Sequence, residues 1–160
     1  MRGGGAVPQS EGVSKSFLNI GVVAGATLAS RCLGLVRDAR WVEVQAEVRA
    51  VRSAVDAVRR GVRVKVICES AALGDHELRA TCNAAVAGGA DFVKTSTGFH
   101  KAGGATERAV AIMRETVGDG IGVKASGGIR TTSTALAMIA AGATRIGASA
   151  TREILAGMPN

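Results

Sequence analysis

The chain is predicted to fold as a parallel α/β domain of the (β/α)8 TIM-barrel type, of which it holds about half. Three observations lead there. Short apolar runs ending in polar, glycine-bearing turns recur at intervals of 29 (65 to 94) and 30 (94 to 124) positions, the length of one βα unit. Amphipathic stretches of helical period lie between them. Within the runs, alternate residues form an apolar set that would face covering helices and a polar set that would face away from them. A doubly wound sheet and a barrel both satisfy this period and its right-handed crossovers. Polar residues turned away from the helices suit a barrel interior and its rim, so the barrel is favoured.

The elements follow in order. Residues 1–14, beginning Met1-Arg2-Gly3-Gly4-Gly5, carry no periodicity and are expected to be disordered, with the barrel domain occupying 15–160. Part of a strand is expected over 16–23. From Trp41 to Arg60, Val44, Val48, Val51, Val55 and Val58 recur at helical spacing. A strand over 62–69 then sends Val64, Val66 and Cys68 toward helices, and Lys65, Ile67 and Glu69 inward. The inward phase of Lys65 and Glu69 would suit a polar network near the site, but an ion pair between the two within the barrel is the role expected. A helix over 75–87 takes Asp75 as its N-cap.

The strand over 90–96 puts Phe92, Lys94 and Ser96 on one face, and a helix runs from about Thr106 to Thr116. A strand over 121–126 aligns Gly122, Lys124 and Ser126, and Thr and Ser residues head a helix over 131–141. The strand over 144–148 points Arg145, Gly147 and Ser149 inward. A last helix starts near Ser149 and is stopped by Gly157 and Pro159.

Composition narrows the function classes. At 160 residues, 47% hydrophobic and 21% charged, the chain reads as one soluble globular domain with a sizeable core. Aromatics at 2% leave that core to Val, Ile, Leu and Ala, which favours regular α/β layers. A net charge of +7 invites a nucleic-acid reading, but the distribution argues against one. Arg49, Arg52, Arg59, Arg79, Arg108 and Arg114 are interspersed with Glu47, Asp56, Glu77, Glu107 and Glu115, as on solvated helix faces. No basic block, RNA-binding aromatic motif or zinc spacing accompanies them. Excess positive charge suits a small anionic substrate instead.

Cys32, Cys68 and Cys82 are odd in number and lack CxxC spacing, so they read as reduced thiols in a cytoplasmic protein, with Cys68 a small core hydrophobe. The apolar stretch from Phe17 to Ala29 contains Gly21 and Gly25 and is too short to span a bilayer. Its late start argues against a signal peptide.

Chemistry concentrates at two strand ends. Lysine is costly to bury, so one that ends a strand is usually aimed at a cleft. Lys94 and Lys124 would place two amines at one rim, where mutual repulsion lowers the pKa of at least one. A neutral amine can attack a carbonyl and form a Schiff base. Solvated strand-end lysines would satisfy the same pattern. Gly127-Gly128 and Gly147-Ala148-Ser149 end the last two strands, where backbone amides and a helix N-terminus can hold a phosphate. Ordinary βα turns would explain either stretch alone, and less readily the pair. Arg130 would approach that phosphate or simply start the next helix. His76 and His100 lack the partners of a triad or metal site.

Four motifs carry a family resemblance: Val64-Lys65-Val66-Ile67-Cys68-Glu69, Gly89-Ala90-Asp91-Phe92-Val93-Lys94-Thr95-Ser96-Thr97-Gly98-Phe99, Gly122-Val123-Lys124-Ala125-Ser126-Gly127-Gly128-Ile129-Arg130, and Gly142-Ala143-Thr144-Arg145-Ile146-Gly147-Ala148-Ser149. From about Trp41 onward the chain resembles the deoxyribose-phosphate aldolases, class I enzymes that work through a lysine Schiff base. The resemblance implies that Lys94 is the nucleophile and Lys124 the second lysine. It also implies that Gly98, Gly127, Gly128, Gly147 and Ser149 hold the 5-phosphate of 2-deoxy-D-ribose 5-phosphate.

No metal or organic cofactor is implied, because the iminium is itself the electron sink. The family's acid-base aspartate has no counterpart. Lys15 stands where it belongs in Lys15-Ser16-Phe17-Leu18-Asn19-Ile20-Gly21, and residues 22–33 look like an insertion. By this resemblance the chain corresponds to the C-terminal half of a barrel. Uncovered strand edges and an apolar interior would then drive association, so a homo-oligomer is expected. An inactive half-barrel that binds sugar phosphate or pairs with another subunit is the alternative.

Overall fold

A computed structural model describes residues 20–22, 26–29, 35–36 and 38–158. The segment 1–14, Lys15, Cys32 and Pro159 lie outside the described residues. A six-stranded sheet runs in sequence order: β1 (Ile20–Val22), β2 (Ala26–Ala29), β3 (Lys65–Ile67), β4 (Phe92–Lys94), β5 (Gly122–Ser126) and β6 (Arg145–Gly147). The strands from β2 to β6 are parallel, and β1 turns back antiparallel on β2. Among the described residues they are accompanied by the helices α1 (Trp41–Val58), α2 (Asp75–Ala87), α3 (Glu107–Val117), α4 (Thr132–Ala140) and α5 (Thr151–Ala156). This is a partial (β/α) barrel, open at β6 among the described residues.

One expectation is corrected at the start of the sheet. Residues 22–33 are not a plain insertion, because Ala26–Ala29 is the parallel neighbour of β3, with Thr27, Leu28 and Ala29 opposite Lys65, Val66 and Ile67. Of the expected strand over 16–23, the described residues Ile20–Val22 form a strand on the outer side of β2. Two short segments of similar β-compatible composition compete for the edge of β3, and alternation over so few residues does not decide between them.

Side-chain alternation builds the core. Val66, Cys68, Val93, Val123 and Ala125 point to the helix side, where they pack with Leu78 and Cys82 of α2, Val110 and Met113 of α3, and Met138 of α4. Along α1, Val44 and Val48 are buried and Val51 packs against the core, but the apolar stripe fades and Val58 is 88% exposed. The Cys68 and Cys82 sulfurs lie 3.9 Å apart as free thiols. The neighbouring Cys82, then burial, hold the Cys68 thiol well above its ordinary range. Cys68 is therefore a core residue.

Caps and ion pairs fix the helices. Thr106 and Thr131 cap α3 and α4 by accepting from Ala109 N and Thr134 N at 3.1 and 3.2 Å. Asp75 is not the cap of α2. Gly74 is, its N–H donating to Glu77 Oε2 at 2.8 Å, while Asp75 sits in the first turn and pairs with Arg108. Either acid could serve the helix start, and the pull of α3 takes Asp75 away. Arg79 pairs with Glu115 at 2.9 Å and Arg52 with Asp91 at 3.1 Å. These arginines are spent on neighbouring acids, in keeping with solvated helix faces. Among the described residues no helix is long and apolar enough to cross a membrane.

Candidate active site

The face of the sheet turned away from the helices is charged rather than apolar. In register, Lys65 lies opposite Phe92, and Phe92 opposite Gly122; two positions on, Ile67, Lys94 and Lys124 are neighbours, with Arg145 beside Lys124. Lys94 and Lys124 are direct partners on adjacent parallel strands, so their Cα atoms sit about 4.8 Å apart with side chains on one face. The expectation of an apolar interior is corrected here: Lys65, Lys94, Lys124 and Arg145 share this face. The Phe92 ring is buried, with the Arg145 guanidinium 4.6 Å and that of Arg63 5.6 Å from its centre.

Lys94 is half-buried, and its amine is held below the ordinary lysine range by burial first and by Lys124 second, while Glu69 opposes both. Repulsion between the two amines is thus present, but it is not the leading cause. Lys65 is lowered in the same way, by burial and then by Lys124, Lys94 and Arg145. An amine shifted in this direction spends more of its time uncharged, the state that attacks carbonyls.

Polar groups lock the ends of β4 and β5 together. Thr95 Oγ1 donates to Ser126 O and accepts from Ser126 N, both at 3.0 Å, and Ser126 Oγ donates to Ser96 O at 2.8 Å. Thr95, Ser96 and Ser126 are buried, so these bonds are made away from water. Beyond them the chain turns. Gly98 N donates to Ser96 Oγ at 2.9 Å, and Gly127 and Gly128 have φ of 91° and 78°.

At one point of this rim a backbone approach makes glycine necessary, and at another a side chain closes on a glycine. A Cβ on Gly104 would meet Gly127 O at 2.2 Å, so the turns after β4 and β5 touch backbone to backbone. A Cβ on Gly147 would meet Lys124 Cε at 2.6 Å, so the Lys124 side chain lies across β6. Gly147 thus lies against Lys124, while Gly98 and Gly127 face each other across the turns that follow β4 and β5. Gly128 lies next in the β5 turn, and Ser149 is exposed just past β6. Arg130 is exposed at the head of α4.

The expected ion pair between Lys65 and Glu69 is not formed. Glu69 is buried in the left-handed region, at φ 55° and ψ 53°, and its carboxylate turns to the next loop, accepting from Thr97 N and from Thr97 Oγ1 at 2.7 Å. A left-handed backbone costs a non-glycine residue about 1–2 kcal/mol, and it is this conformation that swings the side chain out of strand phase. Sequence reasoning also missed Gly104, whose signal was the pair Gly103-Gly104 ahead of a capped helix.

Known proteins bear on this arrangement. Scanned against models of protein families, the chain matches none. It is 57% identical over 126 residues to the deoxyribose-phosphate aldolase of Kocuria rhizophila, an alignment covering 79% of this chain and 56% of that protein. The solved structure of QR15, an aldolase, superposes with a TM-score of 0.71 at 33% identity, covering 82% of this chain and 57% of the other. The tetrameric deoxyribose phosphate aldolase of Aeropyrum pernix superposes with a TM-score of 0.65 at 34% identity, over 81% of this chain and 53% of the other. The chain spans about half the length of the curated relatives it matches. Over about half of their length, in the part that carries the paired strand-end lysines and the glycine turns, the chain is similar to the deoxyribose-phosphate aldolases.

Proposed function

We propose that the chain acts as a class I aldolase on 2-deoxy-D-ribose 5-phosphate, cleaving it reversibly to D-glyceraldehyde 3-phosphate and acetaldehyde. The observation that carries this reading is the register of Lys94 opposite Lys124, with the Lys94 amine held low by burial and by its neighbour. The neutral Lys94 Nζ adds to the aldehyde carbon of the open-chain sugar, and loss of water leaves an iminium. The bond between the second and third carbons then breaks as the third hydroxyl gives up its proton. Its electron pair passes into the enamine, protonation at carbon returns the iminium, and water releases acetaldehyde from Lys94.

Lys124 keeps the neighbouring amine reactive and relays protons. The amides and turns of Gly98, Gly127, Gly128 and Gly147, with the Ser149 hydroxyl, are assigned to the phosphate; the approach of Gly98 to Gly127 and of Gly147 to Lys124 supports this. The cationic face around them favours an anionic sugar over a nucleic acid or a membrane. The sheet edges at β1 and β6, unpaired among the described residues, and the tetrameric relative support a homo-oligomer. The free thiols of Cys68 and Cys82 suit the cytoplasm.

Borohydride reduction in the presence of acetaldehyde tests the reading. A single adduct on the peptide bearing Lys94, absent in Lys94→Met, is expected. A folded wild-type sample that acquires no adduct would overturn it.

A further inference from the structure

The loop that follows Lys94 hangs on a side chain from another strand. Glu69 leaves β3 in a left-handed conformation, yet ladder bonds fix it on both sides: Cys68 N donates to Lys94 O at 2.9 Å and Ser70 N to Thr95 O at 2.7 Å. From that anchored position its two carboxylate oxygens accept from Thr97 N at 3.3 and 3.2 Å, and one also accepts from Thr97 Oγ1 at 2.7 Å. Thr97 Oγ1 in turn accepts from Phe99 N at 3.3 Å. Glycine would adopt this backbone without strain, so nothing in the main chain asks for an acid. What the acid adds is a grip on the turn joining Lys94 to Gly98, and a negative charge beside a face whose other charges are Lys65, Lys94, Lys124 and Arg145.

We infer that Glu69 is a positioning residue for the Lys94 amine, fixing the Thr97–Gly98 turn against the strand end and setting an anion opposite the lysine cluster. Its meaning for catalysis rests on the aldolase reading of Lys94, but its geometry does not. Glu69 favours the ammonium form of Lys94, against burial and Lys124, so it tempers how readily the amine loses its proton.

Two measurements that need no sugar substrate test this on the whole chain. Trace acetylation across pH, read by peptide mass spectrometry with exposed Lys101 as internal reference, reports the neutral fraction of Lys94. Amide hydrogen exchange reports the Thr97 turn. Glu69→Gln keeps an acceptor for Thr97 N but removes the charge. Lys94 should then acetylate roughly two- to tenfold faster near neutral pH, with Thr97 exchange within about twofold of wild type.

Glu69→Ala removes both contributions, and Thr97 exchange should accelerate at least about tenfold. Unchanged Lys94 reactivity in Glu69→Gln overturns the inference, and so does unchanged Thr97 exchange in Glu69→Ala. If Glu69→Ala does not fold, Thr97→Val, which deletes the shortest bond to the carboxylate, replaces it with the same expected acceleration. A wild type that forms no borohydride adduct but shows these shifts would sink the aldolase reading and leave Glu69 in its role.

Discussion

Val93 and Lys94 are consecutive residues of one strand that live in opposite environments. Val93 has no solvent exposure and packs among Val66, Val110, Met113 and Val123, whereas Lys94 is half-buried on a face of four cations. The same contrast repeats one strand over, between Val123 and Lys124. The helix-covered face holds the sheet together, and the other face carries charge at the expense of packing. Alternation along a strand keeps the two apart, so a substitution on one face should leave the other's property almost untouched.

The strongest way to break this comparison is to carve the covered face. Val93→Ala deletes two fully buried methyl groups and leaves a cavity between β4 and α3, which should cost about 2–3 kcal/mol. Lys94→Met, of similar length, should change stability by about 0.5 kcal/mol or less while abolishing the borohydride adduct. Urea unfolding of both variants measures this. If Lys94→Met were as destabilising as Val93→Ala, the inner face would be part of the structural core and not a site.

A smaller effect sharpens the inner face itself. Removing the neighbouring ammonium in Lys124→Met lets Lys94 hold its proton more firmly, so adduct formation near neutral pH should slow by on the order of tenfold and recover as pH rises. Burial would still favour the neutral amine, because it is the larger cause. A rate that falls equally at every pH would assign Lys124 to substrate contact or proton relay rather than to tuning its neighbour.

Much of this was legible in the residues, and the failures share a cause. The βα period and the two-residue alternation put Lys94 and Lys124 on one face, because parallel strands of similar length in adjacent units bring equivalent positions into register. The cap at the head of α4, where Thr and Ser residues were expected to serve, was readable because it depends on a neighbour three residues away. Glu69 was not readable, since strand phase predicts an inward carboxylate near Lys65 and a left-handed residue breaks that phase. The role of burial in shifting Lys94 was also hidden, because desolvation depends on packing that no local pattern records. The exchange of Ala26–Ala29 for the earlier segment beside β3 is a third instance of partner choice decided in three dimensions.

The smallest expected effect compares the two faces through their protons. Lys94 and Lys65 on the inner face are both held below the ordinary 10.5, first by burial and then by neighbouring cations. Between their folded values and 10.5 the unfolded chain binds more protons than the folded one, so their contribution to stability rises with pH through that window. Cys68 on the covered face works the other way. Its folded thiol keeps its proton above the ordinary 9.0, where an unfolded thiol ionises, so stability is lost as pH climbs past that value. The lysines should therefore make the urea midpoint climb as pH rises toward 10.5, and Cys68 should oppose that climb with a downturn above 9.0. Lys94→Met should shallow the climb, and Cys68→Ala should remove the downturn. A Lys94→Met variant whose midpoint follows the wild-type pH dependence unchanged up to 10.5 would mean that folding places no strain on the Lys94 ammonium. Lys94 would then be a solvated strand-end lysine, and the low amine on which Schiff-base chemistry depends would be absent.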